Sequence, residues 1–209
     1  MPDTIEITFL PNGDKVDFYP DTHTYLVNGV EVPSITQKIQ QVYGDSYSKV
    51  NPDLLERSAN YGTKVHKEIQ GLIELRACGW SIEDSLEGKC QETKNYFNYV
   101  EPIYEITPIF TEKVVVLYNE EGIPVAAGRF DLACRIKNNT VAICDFKTTS
   151  TIHTKNVSAQ LNLYKKAAEQ SGYFPVGMIR YLGAIHLSGA QCKLKPIQIF
   201  GEEFLKKFY

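Results

Sequence analysis

The sequence predicts an α/β (α+β) fold in which a central mixed β-sheet is flanked by helices. Residues 141–147 are rich in apolar and β-branched side chains, as expected for a buried strand. Residues 128–136 predict a second strand beside it, and residues 158–170 carry apolar side chains at helical spacing. Strands combined with helical segments of this length indicate a sheet covered by helices.

The N-terminal region predicts a hairpin followed by a capped helix. The hairpin covers about residues 16–33 and turns at Asn28-Gly29, a sequence typical of two-residue turns. Either Ser34 or Thr36 can cap a helix that runs towards Val42, since a hydroxyl accepts a hydrogen bond from a free backbone N–H.

Two further helices are predicted before the sheet. Residues 52–78 have a helix-like pattern, and a second helix is expected over about residues 81–101. Gly79 separates the two, and Trp80 is expected to pack between them in the core; the alternative is that it stacks on a base.

The rest of the chain predicts strands and a short tail. A three-stranded sheet is expected over residues 113–148, with a turn at 119–122. The C-terminal part, about residues 176–209, predicts a strand pair over 176–187 and 191–199, turning around Ser188-Gly189, and then a helical tail from residue 204.

Composition predicts a single domain of 209 residues, soluble and cytoplasmic. No apolar run approaches the length of a membrane span, and the first residues lack a signal-peptide pattern. A net charge of −3 counts against a general nucleic-acid-coating protein. The five cysteines form no Cys-x-x-Cys pair and predict reduced thiols, with Cys134 and Cys144 on core strands.

Charged residues interrupt the buried strand. Side chains alternate faces along a strand, so Asp145 and Lys147 share one face and lie roughly 6–7 Å apart, within reach of one phosphate. Charges in so apolar a strand cost several kcal/mol unless they are paired or bind a metal. Two interpretations therefore stay open: a structural Asp–Lys ion pair, or a metal and phosphate site.

The position of Asp131 depends on the loop between the two strands. Residues 137–140 (Lys-Asn-Asn-Thr) have hairpin-turn chemistry, because Asn tolerates positive φ. A three-residue loop over 138–140 would set Asp131 opposite Lys147 and diagonal to Asp145. A two-residue loop would move Asp131 to the other face unless a bulge corrects the register.

Gln160 and Tyr164 stack on one face of the predicted helix, since they are four residues apart. One interpretation is a surface glutamine beside a half-buried tyrosine. The other is that the amide and the phenol contact a nucleic-acid backbone.

The ordered motifs Gly128-x-x-Asp131, Asp145-x-Lys147 and Gln160-x-x-x-Tyr164, preceded by Gly62-x-x-x-His66, resemble the PD-(D/E)XK nuclease superfamily in its RecB-like exonuclease branch. The N-terminal hairpin also resembles phage-encoded members of this branch, and the resemblance covers roughly residues 18–185. It implies a restriction-endonuclease-like core with a central mixed sheet.

The resemblance also implies roles for individual residues. His66, Asp131, Asp145 and the Phe146 carbonyl would bind Mg²⁺ or Mn²⁺, and Lys147 would activate the attacking water. Glu112 matches a family glutamate in or beside the catalytic site. The expected nucleic-acid contacts are Gln160, Tyr164, Thr148 and Arg129. Relatives with an iron–sulfur cluster need one early and three late cysteines. Only Cys192 lies late in this chain, so no cluster is expected.

The implied activity is a metal-dependent DNA exonuclease that digests linear single- or double-stranded DNA in the cytoplasm of a cell or phage host. Phage or host recombination and replication proteins are its expected partners. Two alternatives remain: an endonuclease that uses the same site on flaps, junctions or unpaired regions, and a non-catalytic nucleic-acid-binding or assembly protein of the same fold. The sequence leaves the polarity of digestion and the oligomeric state open.

Overall fold

The computed structural model describes residues 4–44, 50–188 and 192–209. Within these ranges the chain forms two β-sheets and several helices, which confirms the predicted mixed α/β class. No helix in the described ranges is both long and apolar enough to cross a membrane.

The N-terminal region forms a four-stranded antiparallel sheet, which is larger than the predicted hairpin. Its strands, in order, are β1 (Glu6–Phe9), β2 (Lys15–Tyr19), β3 (Thr24–Val27) and β4 (Val30–Val32). The predicted turn at Asn28-Gly29 is confirmed, since both residues have positive φ. Ser34 then caps helix α1 (Ile35–Tyr43) in a reciprocal pair of hydrogen bonds with Gln37.

Helix α2 (Pro52–Ala77) has the predicted extent and divides into two halves. Residues 52–61 are all exposed, whereas Val65, Ile69 and Leu72 on the second half are buried. Helix α2 therefore reaches the core only after Gly62.

The helix predicted over 81–101 is wrong as a continuous element. The chain instead forms a 3₁₀ turn (Asp84–Leu86), α3 (Gln91–Asn95), a π-helical turn (Tyr96–Val100) and α4 (Glu101–Tyr104). A positive φ at Gly88 interrupts helical geometry before α3 begins. The core position expected for Trp80 is also wrong, because its side chain is 69% exposed after the left-handed turn at Gly79.

The main sheet has five strands in chain order: β5 (Thr107–Tyr118), β6 (Pro124–Ile136), β7 (Thr140–Lys147), β8 (Tyr181–His186) and β9 (Lys193–Ile197). Its strands pair antiparallel except for β7 and β8, which run parallel. The parallel pair is joined by helix α5 (Thr154–Gln170), which begins earlier than the predicted residue 158. The predicted mixed sheet is thus confirmed.

The C-terminal strand pair is shorter than predicted. Strand β8 starts only at Tyr181, because residues 175–180 form turns with a positive φ at Gly177. The predicted turn at Ser188-Gly189 lies partly outside the described residues. The helical tail starts earlier than predicted, as α6 (Glu202–Leu205) followed by a 3₁₀ turn (Lys206–Phe208).

Helices cover both faces of the main sheet. On one face, Leu161 and Ala167 of α5 pack with Ile35 of α1 against Ile143. On the other face, buried residues of α2 and of the π-helical turn pack against Ala142, Cys144 and other strand residues. The alternation of side chains along β7 therefore directs Asp145 and Lys147 to the α5 side and Phe146 to the α2 side.

Candidate active site

Strands β6 and β7 separate where the two aspartates lie. Their last pair is Leu132 with Cys144, and the connecting loop is Lys137–Asn139. The loop has the three-residue length that was considered, but it starts one residue earlier than residues 138–140. Both Asn138 and Asn139 adopt positive φ. The pairing predicted between Asp131 and Lys147 is therefore wrong. Extended by one residue, the register would bring Asp131 level with Asp145.

The Asp131 carboxylate takes the place of a ladder hydrogen bond. Its Oδ2 accepts a hydrogen bond from the Phe146 backbone N–H at 2.7 Å, and the residue is only 8% exposed. Burial raises the pKa of Asp131 to about 6, although His66 acts in the opposite direction. The carboxylate is thus fixed in position and poorly solvated.

Asp145 and Lys147 form an ion pair. Lys147 Nζ lies 2.5 Å from Asp145 Oδ2, and Asp145 is only 2% exposed. Lys147 also donates to Gln160 Oε1 at 3.4 Å, and the Gln160 amide donates to the Tyr164 hydroxyl at 3.4 Å. The charged groups of β7 are thereby linked to two polar residues of α5. Tyr164 is buried, unlike the half-buried side chain considered from the sequence.

His66 joins α2 to the end of β7. Its Nε2 lies 3.1 Å from the Phe146 carbonyl oxygen, and its Nδ1 lies 3.6 Å from Asp131 Oδ2. Because a carbonyl oxygen only accepts hydrogen bonds, Nε2 carries the proton in this arrangement. The imidazole also meets the Phe146 ring nearly at a right angle.

Glu112 completes a compact group of possible ligands with His66 and Asp131. One ligand atom from each residue lies within 4.8 Å of the other two. Glu112 lies across from Asp131, between the paired residues Thr111–Leu132 and Lys113–Phe130, and its φ is +50°. A non-glycine residue in this region of φ is uncommon within a strand.

The environment of Glu112 resists a second negative charge. Burial, together with the nearby Asp131 carboxylate, raises the pKa of Glu112 to about 7. Two carboxylates this close favour sharing a proton or binding a cation.

The donor set fits a hard divalent cation. It contains two carboxylates, the Phe146 carbonyl and one imidazole, and oxygen donors with a ring nitrogen suit Mg²⁺ or Mn²⁺. The structure brings together His66, Asp131 and the Phe146 carbonyl from the predicted metal ligands. Asp145 lies on the neighbouring position of the sheet, and its Oδ2 faces Lys147.

The motif glycines allow helices to approach the sheet. A Cβ atom at Gly62 would lie 3.3 Å from Thr148 Oγ1, so α2 can pack close to the end of β7. A Cβ atom at Gly128 would lie 3.0 Å from Tyr164 Cε1 and 3.3 Å from Ile35 Cδ1. These contacts explain the glycines of both motifs in terms of packing.

Thr148 and Arg129 are the two remaining residues that were predicted to contact nucleic acid. Thr148 follows β7 and packs beside Gly62. Arg129 forms an ion pair with Glu6 of the N-terminal sheet, and its guanidinium lies over the Phe18 ring at 5.1 Å. The charge of Arg129 is therefore engaged within the protein.

A groove of about 310 Å³ opens onto the ligand group. Sequence reasoning did not assign several of its lining residues to the site, namely Phe18, His23, Tyr25, Lys67 and Gln70. A second cavity of about 240 Å³ lies beside Lys147 and Gln160 and also borders Thr36, which the two cavities share. The sequence could have indicated Phe18, His23 and Tyr25 only if it showed that the N-terminal sheet packs against the strands that carry the motifs.

Comparison of the chain with protein-family models and with curated proteins found no match. The chemistry of the site is therefore assessed from its own residues. It combines a group of possible cation ligands with a lysine next to it and two open cavities, an arrangement that can hold a phosphate and a water together.

Proposed function

We propose that the protein is a divalent-metal-dependent nuclease that hydrolyses phosphodiester bonds of linear DNA as an exonuclease. One observation carries this proposal: His66, Glu112 and Asp131 converge beside the Phe146 carbonyl and within one sheet position of the Asp145–Lys147 pair. The order of motifs that resembles the PD-(D/E)XK superfamily supports the same activity.

The proposed Mg²⁺ or Mn²⁺ ligands are His66, Glu112, Asp131 and the Phe146 carbonyl, with Asp145 contributing a further oxygen. When bound, such an ion lowers the pKa of a coordinated water and neutralises charge on the scissile phosphate. The repulsion between neighbouring carboxylates favours this binding, because a cation removes it.

The chain's own groups have separate tasks in this reaction. In this proposal Lys147, whose Nζ pairs with Asp145, orients the water and stabilises charge that develops on the phosphate oxygens. Gln160 holds that amine by accepting its hydrogen bond, and Tyr164 in turn holds the Gln160 amide. The water oxygen loses a proton to solvent and bonds to phosphorus as the bond to the leaving oxygen breaks, and the leaving oxygen takes up a proton from solvent and departs as a hydroxyl group. The resemblance implies a 5′-phosphate product.

Digestion of end-labelled linear DNA, single- and double-stranded, tests the proposal beside a covalently closed circle in Mg²⁺, Mn²⁺ or EDTA. We expect metal-dependent loss of linear DNA alone, abolished in Asp145→Ala and Lys147→Ala. Lys166→Ala is the matched control, since Lys166 pairs with Glu202 on α6 and should retain activity.

Other outcomes would replace parts of the proposal. Cutting of the circle would make the protein an endonuclease with the same site. Undiminished cleavage by both variants would exclude this site. Absence of cleavage, together with no Mn²⁺ binding in calorimetry, would favour a non-catalytic protein. The proposal extends to a cytoplasmic location, which the composition predicts. It also extends to phage or host recombination and replication proteins as partners, which only the resemblance supports.

A further inference from the structure

The N-terminal sheet forms one wall of the groove that opens onto the ligand group. Phe18, His23 and Tyr25 line the groove that also contains Glu112 and Asp131. Two of these aromatic residues, Phe18 and Tyr25, are buried, whereas His23 is exposed to the groove. An aromatic wall beside a phosphate site is the combination found where nucleic-acid bases stack.

The His23 ring is held by the two rings beneath it. Phe18 and Tyr25 stack on each other, with centroids 4.5 Å apart. His23 meets Phe18 at 5.4 Å and Tyr25 at 5.7 Å, nearly at a right angle in both cases. Such edge contacts stabilise a ring orientation, so His23 has a fixed direction before any ligand arrives.

The backbone at His23 has a conformation that is uncommon for a non-glycine residue. His23 ends the turn after β2, where its N–H bonds to the Pro20 carbonyl at 3.3 Å, and its φ is +53°. Residues in such sparsely populated conformations cluster at ligand sites, and His23 lies at the edge of a groove.

The charge state of His23 suits a neutral ligand surface. Partial burial lowers the pKa of His23 below 6.5, and the nearby Arg129 lowers it further. The imidazole is therefore mostly neutral at pH 7. A neutral ring avoids the cost of covering a charge when it stacks on the face of a base.

The wall is fixed relative to the ligand group. Arg129 of β6 pairs with Glu6 of β1 and covers Phe18. The Ala127 N–H also bonds to the Pro33 carbonyl at 3.0 Å. Residues of both sheets share one buried cluster, so the distance between His23 and Asp131 is set by packing.

We propose that His23, supported by Phe18 and Tyr25, stacks on an unpaired nucleobase next to the phosphate held at the site. A paired base within a duplex has both faces covered by its neighbours, so only an unpaired or displaced base offers a face. The groove volume of about 310 Å³ is at the lower end for ligand pockets and suits one nucleotide rather than a duplex. The inference rests on the proposed function for the position of the phosphate.

Abasic scanning tests this inference on the full chain. Fluorescence anisotropy would measure binding of short single-stranded oligonucleotides in Ca²⁺, each with one abasic residue at a different position. We expect one position at which loss of the base weakens binding about tenfold, in line with base–aromatic stacking. His23→Asn tolerates the left-handed backbone but has no aromatic ring, so it should bind the intact and the abasic oligonucleotides equally. His23→Phe should keep the difference.

Matched controls separate this inference from the proposed function. Thr22→Ala lies in the same turn, outside this groove, and should bind like the wild-type protein. A flat abasic profile, or a His23→Asn variant with the wild-type profile, would overturn the inference even if DNA cleavage is intact. A base-dependent profile in a protein that does not cleave would retain the stacking site and reject the nuclease. A wild-type protein that neither binds nor cleaves would reject both.

Discussion

Gly128→Ala is expected to lower the stability of the protein and its nuclease activity together. The added Cβ would lie 3.0 Å from Tyr164 Cε1 and 3.3 Å from Ile35 Cδ1. Neither neighbour can move freely, because Ile35 is fully buried and Tyr164 is buried with its hydroxyl bonded to Gln160. The ring must therefore shift by a few tenths of an ångström and take Gln160 with it.

Two opposing contributions set the size of the stability change. Overpacking of a core costs about 1–3 kcal/mol, whereas replacing a strand glycine by alanine gains about 0.5–1 kcal/mol. The middle of these two ranges gives a net loss of about 1 kcal/mol. Each kcal/mol moves the melting temperature of a chain of this size by about 2–4 °C, so calorimetry should show a decrease of about 2–4 °C.

Gly71→Ala is the matched control with the opposite sign. Gly71 lies within α2, and a Cβ there has no neighbour within 4 Å, so only the helix propensity changes. We expect a gain of about 0.8–1 kcal/mol and unchanged cleavage. If Gly128→Ala melts at or above the wild-type temperature while Gly71→Ala behaves as expected, the packing explanation for the Gly128 motif is wrong.

Three further predictions concern charge and backbone. Burial raises the pKa of Glu112 to about 7 and that of Asp131 to about 6, so the stability each group contributes is present at low pH and lost as the pH rises through these values. The melting temperature in EDTA should thus decrease as the pH rises from about 4 to about 7. Added Mn²⁺ should stabilise the protein more above about pH 7 than below about pH 5. A Mn²⁺ effect independent of pH would contradict this. Lys147→Met leaves the buried Asp145 carboxylate unpaired and should cost about 2 kcal/mol in urea unfolding, less than the roughly 3–5 kcal/mol of a fully buried pair because the lysine is partly exposed. The double variant with Asp145→Asn should recover most of this loss, and an unchanged loss would refute the ion-pair account. Asn138→Val should lose about 1–2 kcal/mol because φ is +60°, whereas Asn138→Gly should be nearly neutral, and equal melting temperatures would count against the left-handed loop.

The central strand and the helix beside it could be predicted because their sequences carry strong signals. Residues 141–147 are buried on both faces, which requires an apolar run, and α5 has a regular apolar stripe. Alternation along β7 then set Asp145 and Lys147 on one face. The approach of His66 to Asp131 had no such local signal and was expected only from the order of the motifs.

The register around the loop could not be predicted from residue types. Asn138 and Asn139 both tolerate positive φ, so several loop lengths agree with the sequence, and packing of the whole sheet selects one. The positive φ of Glu112 has no sequence signal either, because glutamate rarely adopts it. The prediction for Trp80 was wrong for a related reason. Its hydrophobicity favours burial, but the turn at Gly79 directs the chain away from the core.

The groove wall was missed because its residues are distant in sequence from the motifs. His23 alone is an ordinary turn histidine, and Phe18 and Tyr25 are ordinary alternating strand residues. Their position beside the motif residues appears only when Arg129 connects the N-terminal sheet to β6.

The two halves of α2, which meet at Gly62, should differ in how easily they unfold locally. Amide hydrogens of residues 52–61 can exchange with solvent when the exposed half of the helix frays, which costs little free energy. Those near Val65, Ile69 and Leu72 can exchange only when the core under the sheet unfolds. His66 lies on the protected side of this boundary. The outer half of the helix can therefore melt and reform repeatedly while the imidazole keeps its place beside Asp131.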